Sequence, residues 1–199
     1  MYLSYPITSQ KLYFIMLPIV TPRLILRQWQ DSDTTPFIQM CADDEVMRYF
    51  PKKLDATEAT AFLERIRTAI KTRGWGLFAV ELKATGEFIG FIGLHVHPPE
   101  LKIADAPEIG WRLLPQYWNQ GYATEGAKAV LKYAFRTLRL EKVISFTACI
   151  NTPSERVMQN IGLEKVGEFD HPLVPADHIL CRHVLYKKQR SDYLHIPFC

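Results

Sequence analysis

A chain of 199 residues suits one domain, since soluble domains commonly run to about 100–200 residues, and its 48% hydrophobic and 23% charged fractions are those of a globular protein with a real core. Lys and Arg number 24 against 21 acidic residues, a net charge of +3. That excess is too weak for a nucleic-acid binder and suits an anionic ligand without demanding one. The four cysteines, Cys41, Cys149, Cys181 and Cys199, form no CxxC pair and no zinc-type spacing, which fits a reduced, cytoplasmic protein.

Residues 1–20 read as an N-terminal extension. Their apolar run at 12–17 is far shorter than the roughly 20 residues of a membrane helix and carries no signal-peptide features. The domain spans 21–188, and 189–199 reads as a tail. Thr21-Pro22-Arg23-Leu24-Ile25-Leu26-Arg27 alternates apolar and basic residues as a half-buried strand does. Helices follow over 33–40 and 44–49. Asp55-Ala56-Thr57-Glu58 caps a third helix, with Phe62, Leu63, Ile66, Ala69 and Ile70 on one face and Gly74 as its stop. Strands over 77–82 and 88–96 are joined through Lys83-Ala84-Thr85-Gly86, a hairpin-type connection.

A third strand, over 107–114, leads through Pro115 and a Gly-containing turn into a helix whose buried stripe is Ala123, Ala127, Val130, Leu131, Ala134, Phe135 and Leu138. An apolar strand over 143–148 comes next. The helix after it has Thr152 as N-cap, Pro153 at the first position, Glu155 completing a capping box and Gly162 past its end. Strands over 165–169 and 179–186 close the domain. Helices, antiparallel strands and a final β-α-β-α-β run imply an α/β fold with a mixed, mostly antiparallel sheet. His95 and His97 fall on one strand face, and His178, Cys181 and His183 group in another strand. Without a recognisable ligand set, both groups read as ordinary strand side chains, and no metal is expected.

Chemistry concentrates where the strand over 107–114 turns into a helix. The first N–H groups of a helix have no intrahelical partners, and with the positive end of the helix dipole they make an anion site that needs no basic side chain. Gly121 lets the backbone come close to a phosphate, and Ala123 keeps the space clear. A diphosphate fits. No Gly-Lys-Ser/Thr follows and no three-glycine spacing is present, which excludes a Walker loop and a dinucleotide fingerprint.

Several motifs in order carry a resemblance to the GNAT acetyltransferases, and within them to the ribosomal-protein N-terminal acetyltransferases. They are Thr21-Pro22-Arg23-Leu24-Ile25-Leu26-Arg27, Glu108-Ile109-Gly110-Trp111, Tyr117-Trp118-Asn119-Gln120-Gly121-Tyr122-Ala123-Thr124-Glu125 and Asn151-Thr152-Pro153-Ser154-Glu155-Arg156-Val157. The family's phosphate loop starts with Gln or Arg three residues before its first Gly, whereas Trp118 stands there in this chain. The resemblance implies a single domain whose twisted sheet splays at the cofactor cleft, with acetyl-CoA bound there. It places the backbone N–H groups of Gln120, Gly121, Tyr122, Ala123 and Thr124 on the pyrophosphate. It sets Arg112 and Leu113 along the pantetheine arm and has Asn151 hydrogen-bond the arm from the opposite side.

An amine must lose a proton before it attacks a thioester, and a carboxylate within reach can take it. Glu108 is the candidate base; the alternative is a structural carboxylate at the open end of the sheet. Ser154, by the resemblance near the cofactor sulfur, is the candidate donor to the thiolate, or else simply a helix N-terminal residue. The N–H of Leu114 is the candidate oxyanion donor. Lys128, Lys132 and Arg136 read as a solvated face rather than a 3′-phosphate site, and Trp29, Trp75 and Trp111 as acceptor-pocket or core residues. With no cysteine in a nucleophile motif, the expectation is direct acetyl transfer to a primary amine, first a protein N-terminal α-amine and next a small amine, by a monomer or homodimer. A non-catalytic acyl-CoA-binding module is the rival.

Overall fold

The computed structural model describes residues 18–97 and 105–194; the apolar run at 12–17 and Cys199 lie outside them. One eight-stranded sheet runs in the order β1-β2-β3-β4-β5-β6-β8-β7. Its strands are β1 (Ile19–Val20), β2 (Leu24–Arg27), β3 (Leu77–Leu82), β4 (Phe88–His95), β5 (Glu108–Leu113), β6 (Lys142–Ala148), β7 (Glu164–Asp170) and β8 (Arg182–Gln189). Every neighbouring pair is antiparallel except β5 and β6. A parallel pair needs a crossover, and α4 (Tyr122–Arg136) supplies it.

The alternation of Thr21 to Arg27 has a physical reason that periodicity alone does not reveal. Leu24 and Leu26 are fully buried. The opposite positions hold clamps. Arg27 makes two bonds to Asp33, at 2.7 and 3.0 Å, and one of 2.6 Å to Glu81. Asp33 is itself buried, so this pair holds the chain entering α1 (Thr34–Ala42) against β3. After the short α2 (Asp44–Met47), α3 (Ala56–Arg73) starts on the Asp55–Glu58 capping box and ends on Gly74 in the left-handed region, as the sequence implies.

Helices α1 and α3 cover one face of the sheet through Phe37 and Phe62 against Phe91. Helix α4 covers the other, with Gly126 seated against Ile92 and Leu24. The stripe expected on α4 is buried at Ala127, Val130, Leu131, Ala134 and Phe135. Full burial of side chains such as Phe37, Phe78 and Phe135 contributes roughly 1.5–3 kcal/mol each.

Some boundaries differ from the sequence reading. Pairing begins at Ile19, because a turn at Thr21 folds β1 back onto β2. The helix α5 (Thr152–Asn160) is capped by Asn151, whose Oδ1 accepts from the Ser154 N–H, so Thr152 is the first helical residue and Ser154 the third. Strand β8 starts only at Arg182, because the Cys181 N–H bonds back to the His178 carbonyl and holds 178–181 as a turn. Residues Arg190–Leu194 form a short helix, α6, with Tyr193 against Phe135.

Candidate functional site

The connection from β5 to α4 is built to leave donors free. After a 3-10 turn over Pro115–Tyr117, Asn119 (φ 57°) and Gly121 (φ 80°) both adopt left-handed backbone, which Gly tolerates without cost. Two such residues so close together curl the chain. No side chain caps α4. Among the described residues nothing bonds the N–H groups of Gln120, Gly121, Tyr122, Ala123 or Thr124, and the ladder begins with the Glu125 N–H on the Gly121 carbonyl at 2.9 Å.

The same turn is tied to β2 by contacts that the sequence did not announce. Glu125 accepts from the Thr21 hydroxyl (2.6 Å), the Arg23 N–H (2.9 Å) and the Arg23 guanidinium (2.6 Å). Burial alone would raise the Glu125 carboxyl, but these donors outweigh it and hold it low, hence ionised. Arg23 also bonds the Gln120 carbonyl at 2.9 Å and lies over the Tyr122 ring at 4.3 Å. A positive group therefore sits beside the uncapped amides.

Strands β5 and β6 stay together only at one end. Glu108 pairs with Ile144, the Ile144 N–H bonds the Pro107 carbonyl at 3.0 Å, and the Ser145 hydroxyl bonds the Ile109 carbonyl at 2.9 Å. Along β5 the main-chain groups alternate between neighbours. The Leu114 N–H bonds the Ile89 carbonyl at 3.0 Å, and the Arg112 carbonyl faces Gly90. Positions 112 and 114 thus face β4, whereas 111 and 113 face the gap toward β6. This corrects the reading of Leu114 as oxyanion donor: antiparallel pairing has already used its N–H. It also leaves Leu113 on the cleft while Arg112 turns its backbone away. The Leu113 carbonyl is occupied by the Trp118 indole N–H at 2.7 Å, which gives Trp118 a loop-bracing role in place of the usual Gln or Arg.

Glu108 stands at the closed end of this gap. The Phe146 N–H donates to its carboxyl, His95 Nε2 lies 3.0 Å from Oε2 and His97 Nε2 3.4 Å. Burial pushes the Glu108 carboxyl up to about 8, against which the Phe146 bond works only in part. Burial, with His97 and Arg73 nearby, pushes His95 down to about 4. Near neutrality the proton therefore resides on Glu108, and His95 is neutral. The ligand atoms of His95, His97 and Glu108 all lie within 4.8 Å of one another, close enough for an ion. Their grouping was missed because it depends on how β4 pairs with β5, which sets His95, and His97 just past the end of β4, against Glu108. The signal available was the cross-strand register, which sets His95 opposite Glu108. Around them stand Phe146, Phe169, His171 and His183, with ring centroids 4.8–5.9 Å apart for most pairs.

Across the gap, buried Asn151 commits its side chain internally, accepting from the Ser154 N–H and donating to the Thr147 hydroxyl at 2.8 Å. Ser154 is half-buried at the start of α5, and its hydroxyl has no partner among the described residues. Trp29 belongs to the core, its indole N–H on the Leu77 carbonyl. Trp75 and Trp111 pack at the core's edge. Lys128, Lys132 and Arg136 are exposed. Among the described residues no helix is long and apolar enough to cross a membrane.

An uncapped helix start bent toward a gap between parallel strands defines an acyl-CoA site of the GNAT type. The family model described as "Acetyltransferase (GNAT) domain" matches residues 23–164, and the chain belongs to that family. It is 33% identical over 152 residues to the N-acetyltransferase YnaD of Bacillus subtilis, covering 76% of this chain and 85% of that one. It is 38% identical over 116 residues to the FsC-acetyl coenzyme A-N(2)-transacetylase of Aspergillus fumigatus, covering 56% of this chain and 49% of that one. A crystal structure of a GNAT-family acetyltransferase from Bacillus anthracis superposes with a TM-score of 0.74 at 28% identity, covering 88% of this chain and 99% of that one. The protein is an N-acetyltransferase whose acetyl donor is acetyl-CoA.

Proposed function

We propose that the chain acetylates an α-amine, in the first place the N-terminus of a protein or peptide such as a ribosomal protein, by direct attack on acetyl-CoA. The observation that carries this is the free N–H row over 120–124 beside a parallel strand pair joined only at one end, around Glu108. The amides of Gln120, Gly121, Tyr122, Ala123 and Thr124 hold the pyrophosphate, with Arg23 adding positive charge. Leu113 and Trp111 line the pantetheine arm, and what donor capacity Asn151 retains meets the arm from the other side.

Glu108, once ionised, removes a proton from the acceptor ammonium. A base near 8 matches an α-ammonium, whose pKa is about 7.7–8.0, so that transfer is close to balanced. An ε-ammonium near 10.4 makes the same step uphill by roughly 3 kcal/mol. The amide of Trp111 or Leu113 stabilises the developing oxyanion, and the Ser154 hydroxyl donates to the departing thiolate. Cys41 is unsuited as a covalent carrier, because burial raises its thiol despite the nearby Arg112. The relative named for N(2) transfer favours the α-amine of a small molecule as a second acceptor class.

The test combines CoA calorimetry with thiol release over a panel of amines. Micromolar CoA binding and faster release with peptide α-amines than with alkyl amines are expected. Binding without release on any amine identifies a non-catalytic module instead.

A further inference from the structure

Among the described residues Arg112 is a charge without a counter-charge. Its side chain leaves β5 on the same face as Gly110 and Glu108, two and four residues away, and is half-buried, with desolvation pulling its pKa down. Among the described residues no carboxylate forms an ion pair with it. Among those residues its only hydrogen bond is a long one, 3.6 Å, to the Cys41 thiol, and its buried Nε finds no partner. The guanidinium lies 4.1 Å over the Phe50 ring and 5.3 Å from the Phe91 ring. Aromatic faces stabilise such a cation in part, yet a buried charge normally also has an anion.

The surroundings say where that anion comes from. Between Glu108 and Arg112 the strand carries Gly110, and a side chain placed there would meet nothing within 4 Å among the described residues. The floor between the two groups is open. Four residues of strand separate their Cα atoms by roughly 13 Å, and the two side chains and their hydrogen bonds shorten what a ligand must span. The backbone of Arg112 faces β4, so this side chain is not part of the amide row that meets the pyrophosphate.

We propose that Arg112 binds a carboxylate of the acceptor, so that the amine acetylated at Glu108 belongs to a molecule carrying an acid several bonds away. Two sources share this chemistry: the C-terminal carboxylate of a short peptide, and an acidic side chain just after the N-terminus of a longer one. The inference rests on the reading of Glu108 as the point where the amine is deprotonated.

Steady-state kinetics on the purified protein test it with two matched pairs. One is a dipeptide against its C-terminal amide; the other is a peptide amide with Asp against one with Asn at the second position. Both partners of a pair keep an α-amine of similar basicity. A charge-assisted bond to a half-buried guanidinium is worth roughly 1.5–3 kcal/mol, so the wild type should show a 10- to 100-fold lower KM for the acid in at least one pair. Arg112→Lys should retain part of this preference and Arg112→Met should abolish it. A preference below twofold in both pairs overturns the proposal. So does a variant that raises the Kd of CoA while leaving the acid-to-amide ratio intact, since Arg112 then serves the cofactor. Release of thiol with no peptide at all would instead defeat the underlying reading of an α-amine acetyltransferase.

Discussion

Replacing Glu108 by Gln should move activity and stability in opposite directions. The amide still accepts the Phe146 N–H but takes no proton from the acceptor, so kcat/KM should fall by about 10²–10⁴. In the wild type kcat/KM should climb as pH approaches 8, because only the ionised carboxyl acts, and this limb should vanish in the variant. For stability, the folded carboxyl titrates near 8 against an ordinary 4.5. The group therefore favours the fold fully below 4.5 and progressively loses that support as pH rises to 8. At pH 7 the loss is about 3 kcal/mol, from 2.5 pH units above the unfolded value. Urea unfolding at pH 5 and pH 8.5 should show Gln gaining on Glu mostly at the higher pH. An unchanged pH–rate profile would remove Glu108 from the chemistry, and a stability difference independent of pH would refute the raised pKa.

Arg27→Met leaves buried Asp33 with only the Gln30 N–H as donor among the described residues; unfolding free energy should drop by about 3–5 kcal/mol, and a drop below 1 kcal/mol in urea would contradict the clamp. Glu125→Ala releases Thr21 and Arg23 from the turn before α4. With Arg23 about half exposed, the stability loss should be only about 1 kcal/mol. Calorimetry should nevertheless show weaker CoA binding, and an unchanged Kd would mean that the turn holds its shape unaided.

The parts of the fold written in local chemistry were legible. The Asp55–Glu58 box, Gly74, the α4 stripe and the free amides after Gly121 all follow from residues within one or two turns of each other. Contacts between distant segments were not. Nothing near Glu125 announces Thr21 and Arg23 as its partners, and nothing near Glu108 announces His95, which meets it through strand register, or His97, which reaches it from just past the end of β4. The Leu114 error has the same origin: which strand amides remain free depends on which neighbour the strand has on each side. Asn151 displaced Thr152 as cap because both are good caps one residue apart, and the end of β6 decides between them.

The closed end of the β5–β6 gap joins structure to chemistry. A base that titrates near 8 must be shielded from water, and Glu108 achieves this by standing where the two strands still meet, with the Phe146 N–H as its link to β6. On the proposed mechanism the carboxyl that holds the vertex is also the one that deprotonates the acceptor, so a structural and a catalytic role for Glu108 are compatible. Moving the residue along β5 to position 110 would put it over open space, where solvent would return its pKa toward 4.5 and the proton transfer would lose its balance with an α-ammonium. The double substitution Glu108→Gly with Gly110→Glu isolates this effect. It retains a carboxylate on the same face, yet any remaining activity should show no rise with pH between 6 and 8, and a preserved rise would show that burial at the vertex does not set the base.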